Sequence, residues 1–96
     1  FITADNVTIA RFELKKGGVV PEHSHLNEQV STVLSGTLSF HFGGREMVAG
    51  AGEVVRIPGG VPHRVDVLED ALVIDVFSPV RQDWIDGTDT YFEREK

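Results

Sequence analysis

Pro21-Glu22-His23-Ser24-His25-Leu26-Asn27-Glu28-Gln29 places two imidazoles one residue apart at the entrance to a strand-like run. In extended backbone, residues of equal parity point to one side, so His23 and His25 aim at a common point. Gln29 keeps their parity, and a nearly continuous strand aims it there too. A third histidine, His63, follows the turn Pro58-Gly59-Gly60-Val61-Pro62, where Pro58 and Gly60 suit a tight reversal that sets the direction of the next strand. The pattern predicts that His23, His25, Gln29 and His63 converge on one divalent transition metal. The chain has no cysteine, so the ligands must be His, carboxylate or amide groups, a set that accommodates Ni, Zn, Mn or Fe.

Outward from this stretch the sequence reads as short strands and turns. Val7 to Leu14 alternates, with Val7 and Ile9 on one side and Thr8, Ala10 and Phe12 on the other, and ends at Lys15-Lys16-Gly17-Gly18. Gln29 to Ser35 is rich in β-branched residues and is expected to close at Gly36. Thr37 to Phe42 sets Leu38, Phe40 and Phe42 on one face, and Gly43-Gly44 signals a hairpin into Arg45 to Val48. Glu53 to Ile57, Arg64 to Leu68 and Ala71 to Phe77 complete the set, with Glu69-Asp70 read as a break between the last two. A helical turn is expected only near Gln82 to Asp86, and Tyr91 to Lys96 reads as a solvated, charged tail. Short strands separated by frequent turns indicate an antiparallel sandwich or barrel.

The 96 residues suffice for one small domain spanning 1–96, with 41% hydrophobic residues to fill a single core. A domain this size buries a modest share of its surface, and a homodimer is the expected remedy. The net charge of −6 and the scatter of nine basic residues argue against nucleic acid or an anionic membrane as partner. No stretch is apolar for long enough to span a bilayer as a helix, and no cleavable leader is read at Phe1. The lack of cysteine fits a cytoplasmic location.

Two spaced patterns carry a family resemblance. Gly18-x4-His23-x-His25-x3-Gln29-x6-Gly36 and Gly52-x5-Pro58-x-Gly60-x2-His63 resemble the two motifs of the cupins, the first with one residue fewer than usual between its glycine and first histidine. The resemblance implies an all-β double-stranded β-helix, the jelly-roll barrel. Gln29 stands where most cupins carry Glu, and Val67 where the second motif often ends in Asn. Glu28 is adjacent but out of phase with the histidines, which leaves Gln29 as the expected ligand. An amide in place of a carboxylate leaves the site one unit more positive, which suits an anionic substrate oxygen.

A narrower resemblance covers Ile74-Asp75-Val76-Phe77-Ser78-Pro79-Val80-Arg81. With His-x-His-x3-Gln it is similar to the KdgF-like cupins of pectin and alginate breakdown, which convert 4,5-unsaturated uronates to linear keto sugars. That resemblance implies catalytic roles for Asp75 and Arg81 and substrate-binding roles for Phe77 and Arg81, with an anionic sugar acid as the small-molecule partner. Read by itself, Asp75 interrupts an apolar run and must be either paired, with Arg81 or Arg56, or engaged in chemistry. Arg81 can hold Asp75 or fork onto a substrate carboxylate. Trp84 and Phe92 are expected to cover a barrel end or a dimer contact, and His41 to be exposed or at an interface. Two alternatives stand beside the uronate reading: a non-catalytic cupin that binds metal and a small acid, and an Fe-dependent dioxygenase.

Overall fold

Alternation of apolar and polar residues between glycine turns folds the chain as strands β1 (Ile2–Thr3), β2 (Thr8–Leu14), β3 (Val19–His23), β4 (Glu28–Phe42), β5 (Arg45–Gly50), β6 (Val54–Ile57) and β7 (His63–Ser78), followed by helix α1 (Gln82–Asp86). The computed structural model describes residues 1–87, so the expected tail at Tyr91 to Lys96, and Phe92 within it, lie outside the described residues. Among the described residues no helix is long and apolar enough to cross a membrane. Every strand pairing is antiparallel. The expected all-β jelly roll is what forms.

Two expected breaks are not breaks. β4 passes through Gly36, and β7 passes through Glu69 and Asp70. Each therefore serves both halves of the barrel. β4 pairs with β6 over Gln29–Thr32 and with β5 over Thr37–Phe42. β7 pairs with β3 through His63, Val65 and Asp66 and with β2 over Ala71–Phe77. The physical reason is a set of register shifts between Val33 and Leu38, where β4 bends without losing its pairing to β7. Gly36 sits in the bend at φ 84°, and a side chain there would fall on the Asp70 carbonyl and within 2.6 Å of the Ala71 Cα. The glycine marks a close crossing of two strands rather than an end.

The core follows the expected parity. Leu38 and Phe40 of β4 point inward with Val55 and Ile57 of β6 and Val65, Val67 and Val73 of β7. Thr8 and Ala10 of β2 are buried while Ile9 is exposed. Gly43 and Gly44, both at positive φ (60° and 72°), make the predicted two-residue hairpin turn between β4 and β5. His41 lies on the outer face, partly exposed. Its Nε2 is 3.0 Å from the Asp66 carboxylate, which also pairs with Arg64. The outer surface keeps exposed apolar side chains on paired strands, Ile9, Leu34 and Val54 among them.

The Gly36 crossing makes a direct prediction. Gly36→Ala should cost about 2–5 kcal/mol, summing left-handed strain and overpacking. Gly43→Ala, also at positive φ but with nothing within 4 Å of the added Cβ, should cost only about 1–2 kcal/mol. Urea unfolding of the two variants measures the difference, and equal losses would refute the crossing as the reason for Gly36.

Candidate metal centre and cavity

Three elements deliver the histidines. His23 ends β3 and His63 opens β7, and the two are register partners across that pairing. His25 lies in the bend between β3 and β4, so the chain is not continuously extended from His25 to Gln29 as expected. The bend is instead held from outside. The Gly60 N–H donates to the His25 carbonyl at 2.8 Å, and Gly59 lies so close to the Leu26 carbonyl that no side chain fits between them. Asn27, buried, donates through Nδ2 to the carbonyls of Pro79 and Val80, at 2.5 and 3.1 Å. The turn before His63 and the segment before Arg81 thus both brace the loop that carries His25.

The imidazoles are within one ion's reach of each other, with one ligand nitrogen from each lying within 4.8 Å of the others. Each Nδ1 faces a backbone carbonyl: Pro21 for His23 at 2.7 Å, Asn27 for His25 at 3.0 Å, and Val61 for His63 at 2.9 Å. A carbonyl can only accept, so each Nδ1 carries a proton, and in the neutral ring Nε2 keeps its lone pair. Burial keeps the rings neutral. It is the main cause lowering His23, His25 and His63, and it takes His25 to about 4, with the Arg81 and His63 charges adding to the effect.

Two observations test whether a cation fits. The His63 Nε2 is buried with no hydrogen-bond partner, an atom that costs about 1–3 kcal/mol unless something binds it. The Gln29 Oε1 approaches the His25 Nε2 to 3.2 Å. With the His25 proton on Nδ1, both are lone-pair atoms, and they repel unless positive charge lies between them. A divalent ion held by three neutral imidazoles and an amide oxygen meets both conditions. The donor set fits the group.

The remaining predicted residues line the same cavity. It holds about 490 Å³ free of protein atoms, part of it open to solvent, and its wall includes His23, His63, Gln29, Asp75, Phe77 and Arg81. Phe77 packs edge-on against His25 with ring centroids 5.6 Å apart. Asp75 is 9% exposed; one carboxylate oxygen lies 3.4 Å from the Gln29 Nε2, and the other is buried without a partner. Burial raises the Asp75 carboxyl to about 6, against the opposing effects of the Ser31 hydrogen bond and the Arg81 charge. Neither expected ion-pair partner takes it. Arg56 pairs with Glu28 at 2.5 Å, and Arg81 pairs with Asp83 through two bonds of 2.8 and 2.6 Å.

Arg81 is 1% exposed and fixed on several sides. Its guanidinium lies over Phe77 at 4.8 Å and over Trp84 at 4.4 Å, and its backbone N–H donates to the Thr8 Oγ1 at 2.9 Å. Trp84, expected to cover an end of the barrel or a dimer contact, stands in the cavity wall against Phe77 and Phe12. Sequence reasoning missed three residues. Ser31 is fully buried and accepts from the Gln29 Nε2 at 3.0 Å; its parity with Gln29 was the available signal. Asn27 carried no periodic signal, and Asp83 reads as an ordinary residue in the first turn of a helix.

Comparison with known proteins agrees with this geometry. The family profile described as "Cupin domain" matches residues 10–77. The uncharacterized protein SCO3923 of Streptomyces coelicolor is 30% identical over 80 residues, 82% of this chain and 76% of that protein. The structure of KdgF from Halomonas sp. is similar with a TM-score of 0.80 and 27% identity, covering 86% of this chain and 79% of that one. An RmlC-like cupin from Shewanella frigidimarina NCIMB 400 has a TM-score of 0.78 and 29% identity over 83% of this chain and 72% of its own.

The Arg81–Asp83 pair predicts a pH dependence. Its hydrogen bonds to Arg81 lower the Asp83 carboxyl below its ordinary 3.8, so the folded chain releases this proton more readily than the unfolded one. The stabilisation is present above the unfolded value and is lost as pH falls through the folded value. Asp83→Asn should therefore cost about 0.5–1.5 kcal/mol at pH 7, the range being reduced by solvent screening of the partly exposed carboxylate, and less near pH 3. Urea unfolding of both proteins at the two pH values checks this, and a pH-independent difference would contradict it.

Proposed function

The chain belongs to the cupin-domain family, and on that premise we propose that it is a metal-dependent isomerase that opens 4,5-unsaturated uronates to linear keto sugars. One observation carries the reading: Asp75 presents a buried carboxylate oxygen without a partner in the wall of the cavity that His23 and His63 also line. A buried carboxylate without a counter-ion costs too much to be a packing residue. The Asp75, Phe77 and Arg81 spacing, and the structural likeness to KdgF, support the uronate as substrate class.

In this reading His23, His25, Gln29 and His63 hold the ion, which when bound supplies a Lewis acid for substrate oxygens. Arg81 offers a planar cationic group to the uronate carboxylate, and Asp83 keeps that group oriented. Phe77 and Trp84 form the apolar walls against which a sugar ring rests. The reaction is an isomerisation and needs no co-reactant. The C1 hydroxyl loses its proton as the C1–ring-oxygen bond breaks, the ring oxygen becomes an enol oxygen, and the enol becomes a ketone as C4 gains a proton. Asp75 moves that proton, a task suited to a carboxyl raised to about 6.

A homodimer of a cytoplasmic enzyme completes the proposal, with support from the apolar side chains on the outer face. Sedimentation and elemental analysis of one preparation should return two chains and two transition-metal ions per particle. His63→Ala should lower metal affinity at least tenfold, and unchanged occupancy would remove the metal assignment. Incubation with unsaturated galacturonate or mannuronate, followed by loss of the conjugated chromophore, tests the activity. Asp75→Asn should reduce turnover about 10²- to 10⁴-fold. A wild-type rate equal to the spontaneous one, with metal bound, would leave a binding module instead.

A further inference from the structure

Gln29 is an amide with two different environments. Its oxygen faces the His25 Nε2 at 3.2 Å, and its nitrogen faces the Ser31 hydroxyl at 3.0 Å and the Asp75 carboxylate at 3.4 Å. Turning the amide over would set its oxygen against a carboxylate and its N–H₂ against the point where the three imidazoles converge. A carboxylate accepts and cannot donate when ionised, so Asp75 selects one of the two orientations. The β4–β7 register makes the arrangement rigid, since Ser31 is the cross-strand partner of Asp75 and Gln29 that of Phe77. Gln29, Ser31 and Asp75 are all buried, so little of the amide is exposed to solvent.

We propose that Asp75 is the positioning residue for Gln29, holding its amide oxygen toward the histidine cluster, and that this pairing is why residue 29 is an amide and not a carboxylate. A glutamate at 29 would set two carboxylates side by side inside the barrel, with Ser31 the one neutral donor between them. The identities at 29 and 75 are therefore one choice: amide with carboxylate, or carboxylate with amide. The inference rests on the metal reading only for the purpose of the alignment; the pairing itself belongs to the metal-free chain.

A double-mutant cycle tests it without metal or substrate. Metal-free Q29E should melt about 5–10 °C below wild type, because its new carboxylate meets Asp75. In the D75N background the same Q29E change should cost less than about 2 °C, since the amide introduced at position 75 can donate to the carboxylate introduced at position 29. Equal losses in both backgrounds would overturn the pairing, because independent sites add. A second measurement covers the case in which Q29E fails to fold. With Co(II) as the probe, D75A should shift the visible ligand-field bands and weaken cobalt binding about tenfold, while D75N, whose amide oxygen can still accept from the Gln29 N–H, shifts them less. Wild-type bands in D75A would overturn the proposal. Coupling in a protein that takes up no cobalt would support the pairing and sink only the metal reading.

Discussion

The antiparallel pairing of β4 with β7 is the constraint from which the rest follows. It runs from Glu28 opposite Ser78 to Phe42 opposite His63 and survives three register shifts on the way. One end of the ladder sets Gln29 and Ser31 beside Phe77 and Asp75, and the other carries His63 back to β3 and His23. A slip of one residue by either strand would turn its own member of the Gln29 and Asp75 pair to the outer face and separate the two. Chemistry in this chain is a consequence of strand register.

Electrostatics then decides what the cavity tolerates. Three imidazoles kept neutral by burial present lone pairs, and an amide oxygen adds a fourth without adding charge. The carboxylate that reaches this group, Asp75, meets an amide nitrogen and a hydroxyl instead of a cation. Arg81, the nearby guanidinium, is paired with Asp83 and lies against the rings of Phe77 and Trp84. The positive group and the negative group thus stay apart in one cavity wall. Had Arg81 closed on Asp75, both would be spent in a structural ion pair.

Much of this was legible in the sequence because the relevant signals are local. The parity of His23 and His25, the alternation around Leu38 and Phe40, and the Gly43-Gly44 hairpin depend only on neighbours in the chain. Gly36 was legible as a special position but misread. A glycine at positive φ looks the same in sequence whether it ends a strand or lets another backbone cross. Glu69-Asp70 misled for a similar reason, since two charged residues can mark a loop or simply the exposed side of a bent strand.

The sequence by itself determined the fold class, the three histidines and the amide that joins them, because period and turn chemistry act over a few residues. Only the tertiary structure decided the partners: Asp83 for Arg81, Gln29 and Ser31 for Asp75, and Gly59 and Asn27 as the braces of the His25 loop. Except for Arg81 and Asp83, two residues apart, these contacts join residues far apart in the chain. The Gln29 and Asp75 contact exists because two long strands pair in one register and bring distant side chains within a hydrogen bond of each other. That pairing turns the histidine stretch at Pro21 to Gln29 from a list of donors into a shaped cavity.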